Sequence, residues 1–384
     1  DPVFGGVVRR LTDRKAVGDD DMYAHHWANA NGTYAFAGGG LVISTTTGAV
    51  YRSGVPTGTQ HSDIAWDAND PDRYYYYDGT RLMRRNLAAQ TNTEMRNFGS
   101  ALQGNGGSLN TQSADGRYFT VRYGGTNKVW DGLTNTVYSG SVTPLSLDGW
   151  VSITPDGKYI VTAAGGTGTP QKEHHSYPID HTTQSIGSTP TQFWGLCGDH
   201  GVLVSASDDK NYYITFACHA QNPGVYRVDI TLNQAGKTEA DQQASNVLLI
   251  ALDWGDNDGG LSAVSKGAFR DWVFFNSVNT GDAFNSGVSG WTAYKQEIIA
   301  VNVLTLEVRR FAHHRSRGLG PTGNYWTQPR ISCSWDGSVV LWDSNFNTLS
   351  SPTGYADLYS IQFPLGPASP PAGPPPPPQN LRFQ

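Results

Sequence analysis

The chain has 384 residues, of which 45 are glycine and 16% are charged, and its 27 basic and 33 acidic side chains give a net charge of −6. Globular proteins carry roughly 7% glycine and about 25% charged residues, so this composition excludes a helical bundle and favours strands joined by tight turns. The acidic balance without a basic run argues against a nucleic-acid partner, and no apolar stretch approaches the roughly 18 residues of a membrane span.

One strand–turn–strand pattern repeats seven times at a period of roughly 40 to 65 residues, which is typical of propeller blades. Each copy joins a short alternating strand, through a polar turn, to an aromatic or β-branched strand. The seven predicted pairs are His26–Asn31 with Tyr34–Ala37, His61–Asp67 with Tyr74–Tyr77, Leu109–Asp115 with Tyr118–Tyr123, Trp150–Asp156 with Tyr159–Ala163, Val202–Asp208 with Tyr212–Ala217, Leu261–Lys266 with Trp272–Asn276, and Ile331–Asp336 with Val339–Trp342. Asp-Gly pairs in three of the turns supply the positive φ that tight hairpins need.

Further alternating segments follow where third and fourth blade strands are needed, among them Arg81–Asn86, Val225–Ile230 and Glu297–Val303. The seventh copy lacks an outer strand, whereas Val7–Leu11 precedes the first copy without a partner of its own. Pairing these two removes two free sheet edges at once. The sequence therefore predicts an all-β fold, a seven-bladed β-propeller over residues 1–365, closed by an N-terminal strand.

A proline-rich tail over residues 366–384 follows the predicted propeller, with a polyproline II segment at Pro374–Pro378. A terminal spacer or an inter-domain linker has this composition. The alternation of Leu381 and Phe383 also suits addition of a strand to an exposed sheet edge, which would assemble copies of the chain into a homo-oligomer or polymer.

The innermost strands of a propeller run along the central channel, so the residues at their starts converge on one mouth. In this chain those positions hold polar side chains, namely His25, His26, His61, Asn110, Asp148, His200, Asp258, Gln328 and Arg330. Such a set is suited to binding a divalent cation or anionic groups. The same positions are equally explained as loop anchors bridged by water.

Two further segments carry candidate binding residues. Between the sixth and seventh copies, His314, Tyr325, Trp326 and Arg330 would form either a sugar-binding platform or a loop held by its own hydrogen bonds. The run Asp256–Gly260 is similar to the start of a calcium loop without the distal Glu, so it is either a turn or a Ca²⁺ site.

The three cysteines have no metal or haem spacing. Cys197 and Cys218 flank the hairpin of the fifth copy and are a candidate disulfide, which would leave Cys333 as a buried thiol. The low Lys content, the many Asn, Thr, Ser and Gly residues, and a chain that opens at Asp1-Pro2-Val3 favour an exported protein that acts outside the cell or at its surface.

Several short motifs resemble a family of secreted bacterial seven-bladed propellers of mostly unassigned function. They are Ala312–Ser316 with Tyr325–Arg330, His61-Ser62-Asp63 followed by Asp67, Pro71, Arg73 and Tyr75, and Asp199-His200. That family is in turn distantly similar to the oligogalacturonate and ulvan lyases, whose sites lie at the propeller mouth. The resemblance implies β-elimination on a uronate as an enzyme hypothesis.

A uronate lyase needs a cation to neutralise the carboxylate, a base at C5 and an acid for the leaving oxygen. The resemblance assigns base and acid to His61 and His200, with Tyr123 as an alternative acid. The neutralising charge falls to Arg330, or to a divalent ion such as Ca²⁺ or Mn²⁺ held by His200 and Gln328. The set is incomplete, because no arginine lies between Gly124 and Tyr226.

Three functions therefore remain open at the level of sequence. The first is a non-enzymatic extracellular scaffold that needs no cofactor and binds copies of itself or another extracellular protein. The second is a polysaccharide lyase acting at the mouth on uronate-containing glycans. The third is a carbohydrate-binding module for an anionic polysaccharide, without turnover.

Overall fold

The fold is a ring of seven antiparallel β-sheets, taken from a computed structural model. The structure describes residues 1, 3–13, 27–57, 64–104, 111–145, 150–164, 173–196, 201–217, 222–252, 260–277, 293–316, 329–346, 356–362 and 365. Strand β1 (Val8–Arg10) opens the chain. Blade 1 contains β2 (Tyr34–Ala37), β3 (Leu41–Ser44) and β4 (Val50–Arg52), and blade 2 contains β5 (Ile64–Trp66), β6 (Arg73–Asp78), β7 (Arg81–Asn86) and β8 (Thr91–Asn97).

The middle blades follow in chain order. Blade 3 contains β9 (Leu102–Gln103), β10 (Tyr118–Tyr123), β11 (Thr126–Asp131) and β12 (Thr136–Val137). Blade 4 contains β13 (Trp150–Ile153), β14 (Tyr159–Ala163) and β15 (His174–Asp180), with β16 (Ser185–Ile186) and β17 (Thr191–Trp194) both pairing with β15. Blade 5 contains β18 (Gly201–Ser205), β19 (Asn211–Ala217), β20 (Gly224–Asp229), helix α1 (Glu239–Ala244) and β21 (Val247–Ala251).

The last two blades complete the ring. Blade 6 contains β22 (Leu261–Ala263), a 3-10 turn (Gly267–Phe269), β23 (Trp272–Asn276), β24 (Glu297–Asn302) and β25 (Val308–His313). Blade 7 contains β26 (Ile331–Cys333), β27 (Val339–Ser344) and β28 (Asp357–Gln362). The predicted seven-bladed propeller is thereby confirmed.

The N-terminal strand closes blade 7, as the sequence predicts. β1 runs antiparallel to β28, with Val8 opposite Ile361. Arg10 Nε donates to Asp357 Oδ2 at 2.6 Å, and the Asp357 side chain is almost completely buried. Because the two ends of the described propeller share one sheet, neither β1 nor β28 presents an unpaired edge at this seam.

The predicted Asp-Gly turns occupy the left-handed backbone region that they need. Gly116, Gly157 and Gly337 have φ of +76°, +74° and +74°. At Gly157 a Cβ atom would also lie 2.8 Å from the ring of Tyr118 in blade 3. Glycine at this turn therefore serves both the local turn and the packing of adjacent blades.

Aromatic side chains fill the interfaces between neighbouring blades. Phe36 of blade 1 stacks on Trp66 of blade 2, with ring centroids 4.4 Å apart. Tyr75 of blade 2 meets Phe119 of blade 3 edge-on at 4.9 Å. Each such buried side chain contributes about 1.5–3 kcal/mol, so aromatic pairs of this kind stabilise the junctions between blades.

Candidate functional site

The hairpin turns between the first two strands of each blade lie at one end of the ring, termed here the turn face. Hydrogen bonds join these turns across all seven blade junctions. They are Asn29 Nδ2 to Pro71 O (2.9 Å), Asn69 Nδ2 to Asp115 O (2.8 Å), Ala114 N to Pro155 O (2.7 Å), Asp156 N to Ser205 Oγ (2.9 Å), Ser207 N to Asp271 Oδ1 (2.6 Å), Ser265 N to Trp335 O (3.1 Å) and Ser338 Oγ to Asn31 O (3.2 Å). The turn face is therefore fastened around its whole circumference.

Lys266 crosses the central channel at the turn face. It lies in the hairpin turn of blade 6, and its Nζ donates to the carbonyl oxygen of Ala68 in blade 2. Blades 7 and 1 separate these two blades along the shorter arc of the ring, so the contact spans the channel. Burial lowers the pKa of Lys266, opposed by the nearby carboxylates of Asp336 and Asp67.

The opposite end of the ring is the mouth, where the innermost strands start. Most of the sequence-predicted site residues lie outside the residues that the structure describes. They are His25, His26, His61, Asp148, His200, Asp256, Asp258, Tyr325, Trp326 and Gln328, together with Cys197, Cys218, Leu381 and Phe383. Their roles as ligands, catalytic groups, disulfide partners and assembly contacts stay predictions.

His314 follows β25 directly and is fully buried. The Ser316 backbone N–H donates to His314 Nδ1 at 3.0 Å, so this nitrogen is the acceptor and the ring carries its proton on Nε2. Nε2 then donates to the carbonyl oxygen of Ser277 at 2.9 Å. Burial lowers the pKa of His314 to about 3. Both ring nitrogens are hydrogen-bonded within the fold. The imidazole therefore links the end of β25 to the end of β23, and neither nitrogen is available to bind a sugar.

His313, the preceding residue, is anchored on the carboxylate of Asp1. Asp1 Oδ2 accepts from the His313 backbone N–H at 3.1 Å and lies 3.0 Å from His313 Nδ1. Burial lowers the pKa of His313 to about 4. On the same strand, Arg310 forms two 2.6 Å hydrogen bonds with the buried carboxylate of Glu297. The polar residues at the end of β25 therefore brace the sheet.

Arg330 and Tyr123 are the other described members of the predicted site. Arg330 immediately precedes innermost strand β26 and is 7% exposed. Tyr123 ends the second strand of blade 3, β10, where it packs against Phe98 with ring centroids 5.3 Å apart. Burial raises the pKa of the Tyr123 phenol, so it stays protonated at neutral pH. The structure therefore places Arg330 directly before an innermost strand and Tyr123 one strand further out.

Cys333 is a buried thiol, as predicted. Its Sγ lies 3.3 Å from Ser262 Oγ, and burial raises its pKa to about 12. Within the described part of the chain, no three His, Cys, Asp or Glu side chains are grouped closely enough to hold a metal ion. No helix there is long and apolar enough to cross a membrane. The predicted divalent cation at His200 and Gln328, or near Asp256, stays a prediction.

Sequence reasoning missed two features of the turn face: the reach of Lys266 across the channel, and a large cleft between blades 2 and 3. The cleft is lined by Asp67, Pro71, Arg73 and Tyr75, which form one of the short motifs noted in the sequence. That motif indicated a functional site, but because it follows His61 in the sequence it was associated with the mouth and not with the turn face.

The architecture defines the protein as a seven-bladed β-propeller, and comparison with solved structures agrees. The chain is similar to the oligogalacturonate lyase of Vibrio parahaemolyticus, with a TM-score of 0.56 and 10% identity over 93% of each chain. Hydrazine synthase of Kuenenia stuttgartiensis matches with a TM-score of 0.47 and 14% identity, over 90% of this chain and 97% of that one. At this low identity the likeness concerns the fold alone, and the oligogalacturonate lyase match confirms the predicted distant likeness at that level.

No protein-family model matches the sequence. No curated protein matches it either.

Proposed function

We propose that this protein is an exported, non-catalytic β-propeller that serves as a rigid structural scaffold and assembles with copies of itself through residues 366–384. The observation that carries the proposal is the unbroken series of hydrogen bonds joining all seven blades at the turn face, reinforced by Lys266. A scaffold must hold its attachment surfaces in fixed relative positions, and a pre-organised body loses little conformational entropy when a partner binds.

The chemistry at the end of β25 supports the same proposal. The imidazole of His314 and the carboxylate of Glu297 are occupied in holding strands together. A general acid or base instead needs a group within reach of substrate and a pKa near the working pH. The depressed pKa values of His313 and His314, about 4 and about 3, are those of buried structural histidines.

Particle size tests the assembly. Light scattering and negative-stain imaging would compare the full chain with a deletion of residues 366–384 and with a Leu381→Ser/Phe383→Ser double variant. We expect oligomers or polymers of the full chain to disappear in both. A Gln379→Ser/Asn380→Ser variant is the matched control, because it changes the same segment without touching the apolar alternation. Equal particle size in all four proteins would overturn the proposal.

Arg330 favours two alternatives at the mouth, a uronate lyase and a carbohydrate-binding module. A buried arginine at the start of an innermost strand suits a carboxylate group of an anionic polysaccharide. A lyase would release an unsaturated product from pectin, alginate, ulvan or glycosaminoglycans, which is detected by its ultraviolet absorbance. Such absorbance, if lost in His61→Ala and His200→Ala, would establish the lyase and rule out the non-catalytic scaffold. Binding without product, lost in Trp326→Ala, would identify the module.

A further inference from the structure

A cleft opens between blades 2 and 3 on the turn face, at the opposite end of the ring from the mouth. Its volume is about 610 Å³, within the 300–1,000 Å³ typical of small-molecule sites. Two contacts frame it. On the channel side, Asn69 Nδ2 donates to Asp115 O at 2.8 Å, and on the outer side, Arg96 Nη1 donates to Asn135 Oδ1 at 2.9 Å. The two blades are thus held together on both sides of an open space.

Three arginines line this cleft, and two of them are neutralised. Arg73 pairs with Asp70 at 2.9 Å. Arg117 forms a bidentate pair with the buried carboxylate of Asp131, at 3.0 and 2.7 Å. Neither guanidinium therefore requires an additional anion.

Arg84 differs from the other two. Among the residues that the structure describes, no carboxylate lies within ion-pair distance of its guanidinium, which instead contacts the Tyr75 hydroxyl. That hydroxyl donates to Asp67 Oδ2 at 2.8 Å. Asp67 Oδ1 in turn accepts the backbone N–H groups of Asn69 and Asp70, at 2.8 and 3.0 Å. Asp67 keeps its negative charge while it holds the hairpin turn, and Lys266 also faces this carboxylate. The Tyr75 hydroxyl lies between Asp67 and Arg84, so Arg84 has no direct ion pair among the described residues.

The rest of the lining restricts the kind of anion. Asp67, Asp70 and Asp115 line the cleft, and Asp70 is paired with Arg73. The remaining negative charge disfavours a second charge on the ligand, and the carboxylate oxygens provide acceptors for hydroxyl groups. Met95 and Leu133, the latter 75% exposed, add an apolar surface suited to the C–H face of a sugar ring. A doubly charged phosphate meets only one unpaired guanidinium in this cleft.

We propose that the cleft between blades 2 and 3 binds a hydroxylated monocarboxylate, a uronic acid or the uronate end of a glycan, with Arg84 on the carboxylate. The site is separate from the mouth, and it adds a ligand to the scaffold function without depending on it. Tail-mediated assembly and uronate binding at Arg84 can therefore fail independently.

The test is a titration of the full chain with galacturonate and glucuronate, in which ligand-observed NMR measures binding. Galactose is the uncharged control and inorganic phosphate is the doubly charged comparison. We expect uronate binding that weakens at least tenfold in Arg84→Gln. Arg85→Gln is the matched control, because the adjacent arginine instead binds Gln90 O and Asn92 Oδ1. Binding in that variant should equal the wild type.

A second pair of variants guards against a folding defect in Arg84→Gln. Leu133→Asp places a negative charge at the exposed lip and should weaken uronate binding, whereas Leu306→Asp, at an exposed leucine of blade 6, should not. The proposal is overturned by no uronate binding to the wild type, or by binding that persists in Arg84→Gln, which would locate it elsewhere. Galactose or phosphate binding as tightly as uronate would overturn it equally.

Discussion

Lowering the pH from 6.5 to 4.5 should destabilise this propeller through the buried imidazole of His314. Its pKa is about 3 in the folded chain, because burial disfavours the charged ring, against an ordinary value of 6.5. Below pH 6.5 the imidazole of His314 therefore binds a proton in the unfolded chain but stays neutral in the folded chain. Stability is fully present above pH 6.5 and is lost as the pH falls toward 3.

The size of the loss follows from proton linkage. Each pH unit in this window costs about 1.4 kcal/mol for each such histidine, so two units cost roughly 3 kcal/mol at His314. His313, with a pKa of about 4, adds a similar amount. The carboxylates with depressed pKa values, Asp131 and Asp156, lose their contribution at lower pH, below their ordinary value of 3.8.

Equilibrium urea unfolding between pH 6.5 and 4.5 measures this dependence. His314→Gln should be less stable at neutral pH, since the Ser316 N–H loses its acceptor, yet its stability should fall less steeply with pH, by about 1.4 kcal/mol per unit. Ser344→Ala is the control: it removes the 2.6 Å hydrogen bond to the His314 carbonyl but leaves the imidazole in place. It should lower stability without altering the slope. Equal slopes in His314→Gln and wild type would refute the assignment of this proton.

Three further predictions concern how the ring is held together. Lys266→Met should lower the free energy of unfolding by roughly 1–3 kcal/mol in urea titrations, since the Ala68 carbonyl loses its donor, and unchanged stability would contradict a role across the channel. Gly201→Ala would bring a Cβ atom 2.2 Å from the buried ring of Tyr213. The melting temperature of the variant should therefore drop by the equivalent of about 1–3 kcal/mol of stability. In the control Gly195→Ala the new Cβ has its nearest contact at 3.4 Å, so the melting temperature should change little. Deleting residues 1–12 from a chain that also lacks residues 366–384 exposes the edge of β28, so light scattering should show self-association that the tail deletion alone does not. A stable monomer would count against closure by β1.

The blades were predictable because their determinants are local. The alternation of side chains and the turn residues place Tyr118–Tyr123, Tyr159–Ala163 and Arg81–Asn86 with the same bounds in sequence and structure. The lone strand before the first repeat and the missing strand after the last also identified the closure by β1. Helix α1 was not predicted: Thr238 caps it by accepting from Asp241 N, but six residues give too weak a periodic signal.

Composition, strand periodicity and turn chemistry thus determined the fold class, the number of blades and the closing seam from sequence alone. Only the tertiary structure decided the charge balance at individual sites. Arg84 and Arg85 are adjacent and chemically identical, yet Arg84 lines a cleft where no carboxylate of the described residues lies within ion-pair distance of it, and Arg85 binds the turn of its own blade. Lys266 meets Ala68, 198 positions away, only because the ring closes. Strand formation depends on neighbours in sequence, whereas the solvation and pairing of a charge depend on which blades become neighbours in space.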